Sequence, residues 1–244
     1  PLHVWWCPSL NPGGVWSTLA QTIAIPSTDP EITAGTSHKH STAETGVISE
    51  LVFCTASQTW GIAGTQGWGT DATGIVSTVG TDIRLHSISS VVGCLSPSTM
   101  VNITGLGLIF LGRTFGRNQL FLLRGLGEQA QLIPIFGART DLNAIPGDRL
   151  PWACATYADG WYMLSYTLEG DTVNRRELWL NVEGMFRVKE GLWGPFYGPM
   201  RRVGNITGIN CYIPFPGGAD ANELYVGDSN SGRLYQINTT DEDE

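Results

Sequence analysis

One strand-turn-strand pattern occurs twice in this chain, far apart. Ile109-Phe110-Leu111-Gly112 leads through a short polar turn into Leu120-Phe121-Leu122-Leu123, and Leu224-Tyr225-Val226-Gly227 leads through Asp228-Ser229-Asn230-Ser231-Gly232 into Leu234-Tyr235-Gln236-Ile237. A single hairpin of this kind cannot bury both of its apolar faces. Its recurrence implies that neighbouring copies cover one another, as the blades of a β-propeller do.

Composition agrees with an all-β chain. The 244 residues are 42% hydrophobic, enough for a large core, and charged residues are only 15%. With 31 Gly and 13 Pro, the balance favours many short strands and tight turns over long solvent-facing helices. Strand period and turn signals divide the chain into five sections, approximately 1–45, 46–81, 82–150, 151–204 and 205–244, which we read as about five antiparallel meander blades of one propeller domain spanning 1–244. Within the first, Pro26 to Gly46 is rich in Ser, Thr, Gly and Pro and reads as a long exposed loop. The fourth is a three-strand meander, Ala153 to Tyr157, Trp161 to Thr167 and Arg176 to Val182, with turns at Asp159-Gly160 and Gly170-Asp171. A short helix is expected near Thr140 to Ala144. The fifth section has three strands, so the N-terminal strand, Pro1 to Cys7, is expected to complete the terminal blade and leave no bare edge.

The formal charge of −8, with Lys39 and Lys189 the only lysines, argues against a nucleic-acid grip, which needs clustered cations on phosphates. Arg175-Arg176 and Arg201-Arg202 are the adjacent basic pairs, and they read as solvated turns in preference to local contact points. Cys7, Cys54, Cys94, Cys154 and Cys211 are odd in number and contain no C-x-x-C pair, so they read as small buried core residues rather than a disulfide framework or a zinc site. No apolar run approaches the roughly 18 residues of a membrane span.

Signatures of catalysis are missing: there is no H-E-x-x-H, no G-x-S-x-G and no phosphate-binding loop with Lys. His38 and His40 could share one face of an extended segment, but no nearby Cys or Asp completes a metal site, and they read as exposed loop residues. Asp228-x-Asn230-x-Gly232 approximates a turn in which Asp and Asn side chains bond backbone N–H groups, with no need of calcium. Asp141, Asp148, Asp159, Glu169, Asp171 and Glu177 supply enough carboxylates for a glycosidase pair. The N-x-T sequons at Asn102, Asn205 and Asn238 matter only in a secretory pathway. Nine tryptophans raise the possibility of sugar stacking. Trp152, Trp161 and Trp179 sit within the strand pattern and read as packing between blades, whereas Trp60, Trp68 and Trp193 lie near turns and are the candidates for an exposed interaction surface, together with Arg201 and Arg202.

Several phrases also resemble a family, in its usual order. Trp5-Trp6-Cys7-Pro8-Ser9-Leu10-Asn11-Pro12 followed by Val15-Trp16, Leu51-Val52-Phe53 leading to Trp60-Gly61-Ile62-Ala63-Gly64, and Val92-Gly93-Cys94-Leu95-Ser96-Pro97-Ser98-Thr99-Met100-Val101 followed by Gly107-Leu108-Ile109-Phe110-Leu111 are three of them. Glu177-Leu178-Trp179-Leu180, Leu192-Trp193-Gly194-Pro195 and Leu224-Tyr225-Val226-Gly227-Asp228 to Tyr235 complete the set. This order resembles the propeller-like nozzle, tail-hub or stabilisation proteins of short-tailed double-stranded DNA bacteriophages. The resemblance implies a structural virion protein, assembled in the host cytoplasm as a ring of its own copies. Such a ring would contact the portal or adaptor and other tail proteins, and would form part of the channel through which DNA passes without specific binding. No catalytic residue, cofactor, metal or membrane is expected. The competing readings are a propeller lectin for surface glycans and, third, a glycoside hydrolase on a propeller scaffold.

Overall fold

A computed structural model describes residues 2–6, 21–42, 46–63, 69–70, 76–77, 84–135, 140–182, 206, 208–215 and 223–237. The chain is all-β and built from several antiparallel sheets, one of them curled into a half-barrel. Strands β1 (Leu2–Trp6) and β2 (Gln21–Ile25) pair with each other. Strands β3 (Ala34–Thr42), β4 (Gly46–Cys54) and β5 (Thr59–Ala63) form the second sheet in sequence order. After a ribbon of β6 (Gly69–Thr70) and β7 (Val76–Ser77), that sheet is completed by β8 (Arg84–Ser89).

The third sheet holds β9 (Val92–Gly93), β10 (Val101–Ile103), β11 (Gly107–Thr114), β12 (Arg117–Arg124) and β13 (Gln131–Pro134). A single helical turn, α1 (Thr140–Asn143), stands where a short helix is expected. The fourth sheet is β14 (Cys154–Ala158), β15 (Trp161–Tyr166) and β16 (Arg176–Asn181), the meander read from the sequence. The fifth is β17 (Ile209–Phe215), β18 (Glu223–Asp228) and β19 (Leu234–Ile237).

Side-chain alternation explains how the sheets stack. On β11 and β12, Leu108, Phe110, Phe121 and Leu123 share one face and pack with Val52, Cys54 and Cys94 beside the second sheet. Ile109, Leu111, Leu120 and Leu122 share the other and pack against Tyr162, Leu164, Leu178 and Leu180 of the fourth. The near-continuous apolar runs of this hairpin are therefore those of a sheet covered on both sides. Each such side chain contributes roughly 1.5–3 kcal/mol by leaving water. The fourth sheet repeats the arrangement: Met163 and Trp179 on its opposite face meet Leu224, Tyr212 and Ile237 of the fifth. Ile25, at the end of β2, packs on Phe53 and Trp60, on the outward face of the second sheet.

Turn chemistry sets the registers. Phe115 and Gly116, between β11 and β12, both have positive φ (46° and 77°), as do Asp159 and Gly160 between β14 and β15 (47° and 83°). Two successive positive φ values make the turn whose twist matches that of paired strands. Asn118 ties the base of the first hairpin to α1, its backbone N–H donating to Asn143 Oδ1 (2.8 Å) and its side-chain amide to the Leu142 carbonyl (3.1 Å).

Two expectations are corrected. The stretch from Pro26 to Gly46 is no long loop, because Ala34–Thr42 forms β3, paired residue for residue with β4. The N-terminal strand is hydrogen-bonded to β2, and among the described residues no ladder joins it to β17, β18 or β19.

Candidate functional site

Histidine and carboxylate chemistry converges where the second sheet meets the third. His38 on β3 lies directly opposite Glu50 on β4, and both are buried. His38 Nδ1 faces Asn102 Oδ1 (3.1 Å) and Nε2 faces the Gly125 carbonyl (3.1 Å), while the Asn102 amide donates to the Ser37 carbonyl. Glu50 Oε1 pairs with His86 Nε2 on β8 at 2.6 Å, and Oε2 accepts from the Gly127 N–H at 3.1 Å. Burial pushes the Glu50 carboxyl above its ordinary value, opposed by the Gly127 hydrogen bond and by the charges of His86 and His38. His38 is thus no exposed loop residue. Among the described residues no group of three or more His, Cys, Asp or Glu is placed to hold a metal ion.

The remaining sequence candidates are dispersed. Asp159 sits in the β14–β15 turn, whereas Glu169 and Asp171 sit in the β15–β16 connection at the opposite end of that sheet. Asp171 lies 3.9 Å from Arg175 and 3.8 Å from Arg176, Asp148 pairs with Arg149 (3.4 Å), and Glu177 accepts a hydrogen bond from the Tyr212 hydroxyl (3.0 Å). Each of these carboxylates is thus used locally. Asp141 is on α1. Asp228 braces its own turn: Oδ2 accepts from the Ser231 N–H (2.9 Å) and hydroxyl (2.6 Å), and Oδ1 from the Gly208 N–H (3.2 Å). Both carboxylate oxygens of Asp228 are thus engaged by donors of the chain itself. Cys54, Cys94 and Cys154 are buried as expected, and Cys211 is half-buried. Burial pushes the Cys154 thiol up to about 12, which removes it as a nucleophile near neutral pH.

The tryptophans divide differently from expectation. Trp60, a candidate for exposure, is buried against Ile25 and Phe53 because it points from β5 to the outward face of the second sheet, where β2 ends. Trp161 and Trp179 do pack between the fourth and fifth sheets, their ring centroids 6.1 Å apart. Trp152 does not. It belongs to a 3-10 turn, Leu150–Trp152, rather than to a strand, and is 48% exposed with the Arg149 guanidinium 4.0 Å from its ring centroid. Trp68, Trp193, Arg201 and Arg202 lie outside the described residues, as do Cys7, Asn205 and Asn238.

Beside Trp152 opens a cleft of about 400 Å³ where segments of three sheets converge. It is lined by Ser98, Trp152, Thr172, Asn210 and Ser229, with Pro151 and Val173 as apolar contributors. Its floor is cross-braced by Asn174, whose amide donates to the carbonyls of Trp152 (2.7 Å) and Ile209 (2.9 Å) and whose Oδ1 accepts from Thr167 (2.6 Å). The Ser229 N–H donates to the Gly208 carbonyl (2.8 Å), which fixes the remaining wall. Linear reading misses this site because its residues are spread along the chain from Ser98 to Ser229.

Compared with known proteins, the chain matches no family model, no curated protein and no solved structure.

Proposed function

We propose that this chain is a non-enzymatic structural component of a short-tailed phage tail or head-to-tail junction. It forms, as a ring of copies, part of the channel through which DNA leaves the capsid. In this reading its fold is a β-propeller of about five blades, and its neighbours in the virion are the portal or adaptor and other tail proteins. The observation that carries the reading is the stacking of sheets made from consecutive strands, in chain order, with the third and fourth covered on both faces. Doubly covered sheets make a stiff wall, because neither face can shift without opening a packed core. Ile213, Phe215 and Leu234 on the outward face of the fifth sheet are 40%, 55% and 61% exposed. In the proposed ring this apolar face is the surface that meets a neighbouring copy. A net charge of −8 with two lysines suits a wall past which a polyanion slides.

Sedimentation velocity of the purified chain, alone and with linear duplex DNA, tests the proposal. A discrete oligomer that leaves the DNA boundary unshifted is expected. A strict monomer at every concentration, or a salt-dependent complex with DNA, would contradict it.

A further inference from the structure

The cleft beside Trp152 has a chemistry that the wall function does not use. None of its described lining residues carries a charge, so an anionic or cationic ligand would lose hydration there without a counter-ion among them. Ser98, Thr172, Asn210 and Ser229 are exposed, and among the described residues their side chains make no hydrogen bond. They present three hydroxyls and one amide, groups that both donate and accept. Trp152 adds a broad apolar surface, held in one orientation by the Arg149 stack. The bracing through Asn174 and Ser229 forms these walls in advance, so a ligand need not order them. A cleft of this volume falls in the range of small-molecule sites.

An apolar ring face beside a fringe of neutral donor-acceptor groups matches a pyranose, which carries C–H groups on its faces and hydroxyls at its rim. We infer that this cleft binds an uncharged saccharide, with Trp152 stacking on the sugar face and Asn210, Thr172, Ser98 and Ser229 bonding its hydroxyls. The described lining residues include no carboxylate, and the role inferred is binding.

Saturation-transfer NMR on the full chain, with glucose, galactose, mannose and N-acetylglucosamine and their disaccharides as probes and glucose 6-phosphate as the charged control, tests the inference. At least one uncharged sugar is expected to bind saturably, and Trp152→Ala to weaken it tenfold or more while the near-UV circular dichroism of the fold persists. Should Trp152→Ala disturb the fold, Asn210→Tyr, at an exposed position, serves instead by filling the cleft, with the same loss expected. Absence of saturable binding to every uncharged probe would overturn the inference. So would a preference for the phosphorylated control, or binding that survives in the folded variant.

Discussion

His38 and Glu50 occupy opposite positions in the β3–β4 ladder, and both side chains are buried at the seam between the second and third sheets. From there each reaches across the seam, His38 to Asn102 and the Gly125 carbonyl, Glu50 to the Gly127 N–H. Apolar stacking alone would let two sheets slide. These polar contacts specify one alignment.

Removing the carboxylate leaves the Gly127 N–H and His86 facing an empty site. Glu50→Ala is expected to cost about 3 kcal/mol, the scale for breaking a buried ion pair, measured by urea unfolding. The pH dependence has a defined sign. A carboxyl whose folded value lies above its ordinary 4.5 binds more protons in the folded state, so its contribution to stability falls as pH rises from that value through the raised one. Relative to Glu50→Gln, which does not titrate, the parent protein should lose stability across that window. A difference that is flat with pH would refute the assignment.

Gly61 on β5 gives this ion pair its space. A Cβ there would stand 1.8 Å from Glu50 Oε1 and 2.5 Å from His86 Nε2. Gly61→Ala must therefore displace both partners, at a cost of about 2 kcal/mol or more. In Glu50→Ala/His86→Ala the obstruction is relieved, and adding Gly61→Ala to that background should cost much less, read as a double-mutant cycle.

Phe110 and Phe115 belong to one hairpin and predict opposite outcomes. Phe110 is fully buried and stacks on Phe121 with ring centroids 6.0 Å apart, so Phe110→Ala should cost about 3–5 kcal/mol. Phe115 is 86% exposed and sits at φ 46°, a conformation that asparagine adopts with less strain. Phe115→Asn is expected to stabilise the protein by about 1 kcal/mol, measured by thermal unfolding.

Asp29 clamps the β4–β5 turn. Its Oδ2 accepts from the Thr55 hydroxyl (2.5 Å) and from the Ser57 N–H (2.9 Å) and hydroxyl (2.8 Å). Burial disfavours the charged form, but these bonds outweigh it and hold the carboxyl below its ordinary 3.8. Its stabilising contribution is present above that value and is lost as pH falls through the lower, folded one. Acid unfolding of Asp29→Asn should lack this component.

Much of the strand pattern was legible because residues repeat with a clear period. Leu108 to Leu111 and Leu120 to Leu123 alternate between two apolar surroundings, and Asp159-Gly160 carries the residues its turn requires. β3 was not legible, since Ala34-Gly35-Thr36-Ser37-His38 has no apolar period and its buried His38 meets polar partners, Asn102 and the Gly125 carbonyl, that lie far away in the chain. Trp152 was misread as a strand residue: Pro151 before it favours a 3-10 turn that lifts the indole to the surface. The cleft had no linear signal, since Ser98, Thr172, Asn210 and Ser229 meet only through the stacking of three sheets.

Electron cryomicroscopy of the purified chain tests the central claim most directly. The account predicts closed rings of copies in which Ile213, Phe215 and Leu234 of every copy are buried against its neighbour. Single copies at every concentration, with that face bare, would contradict it.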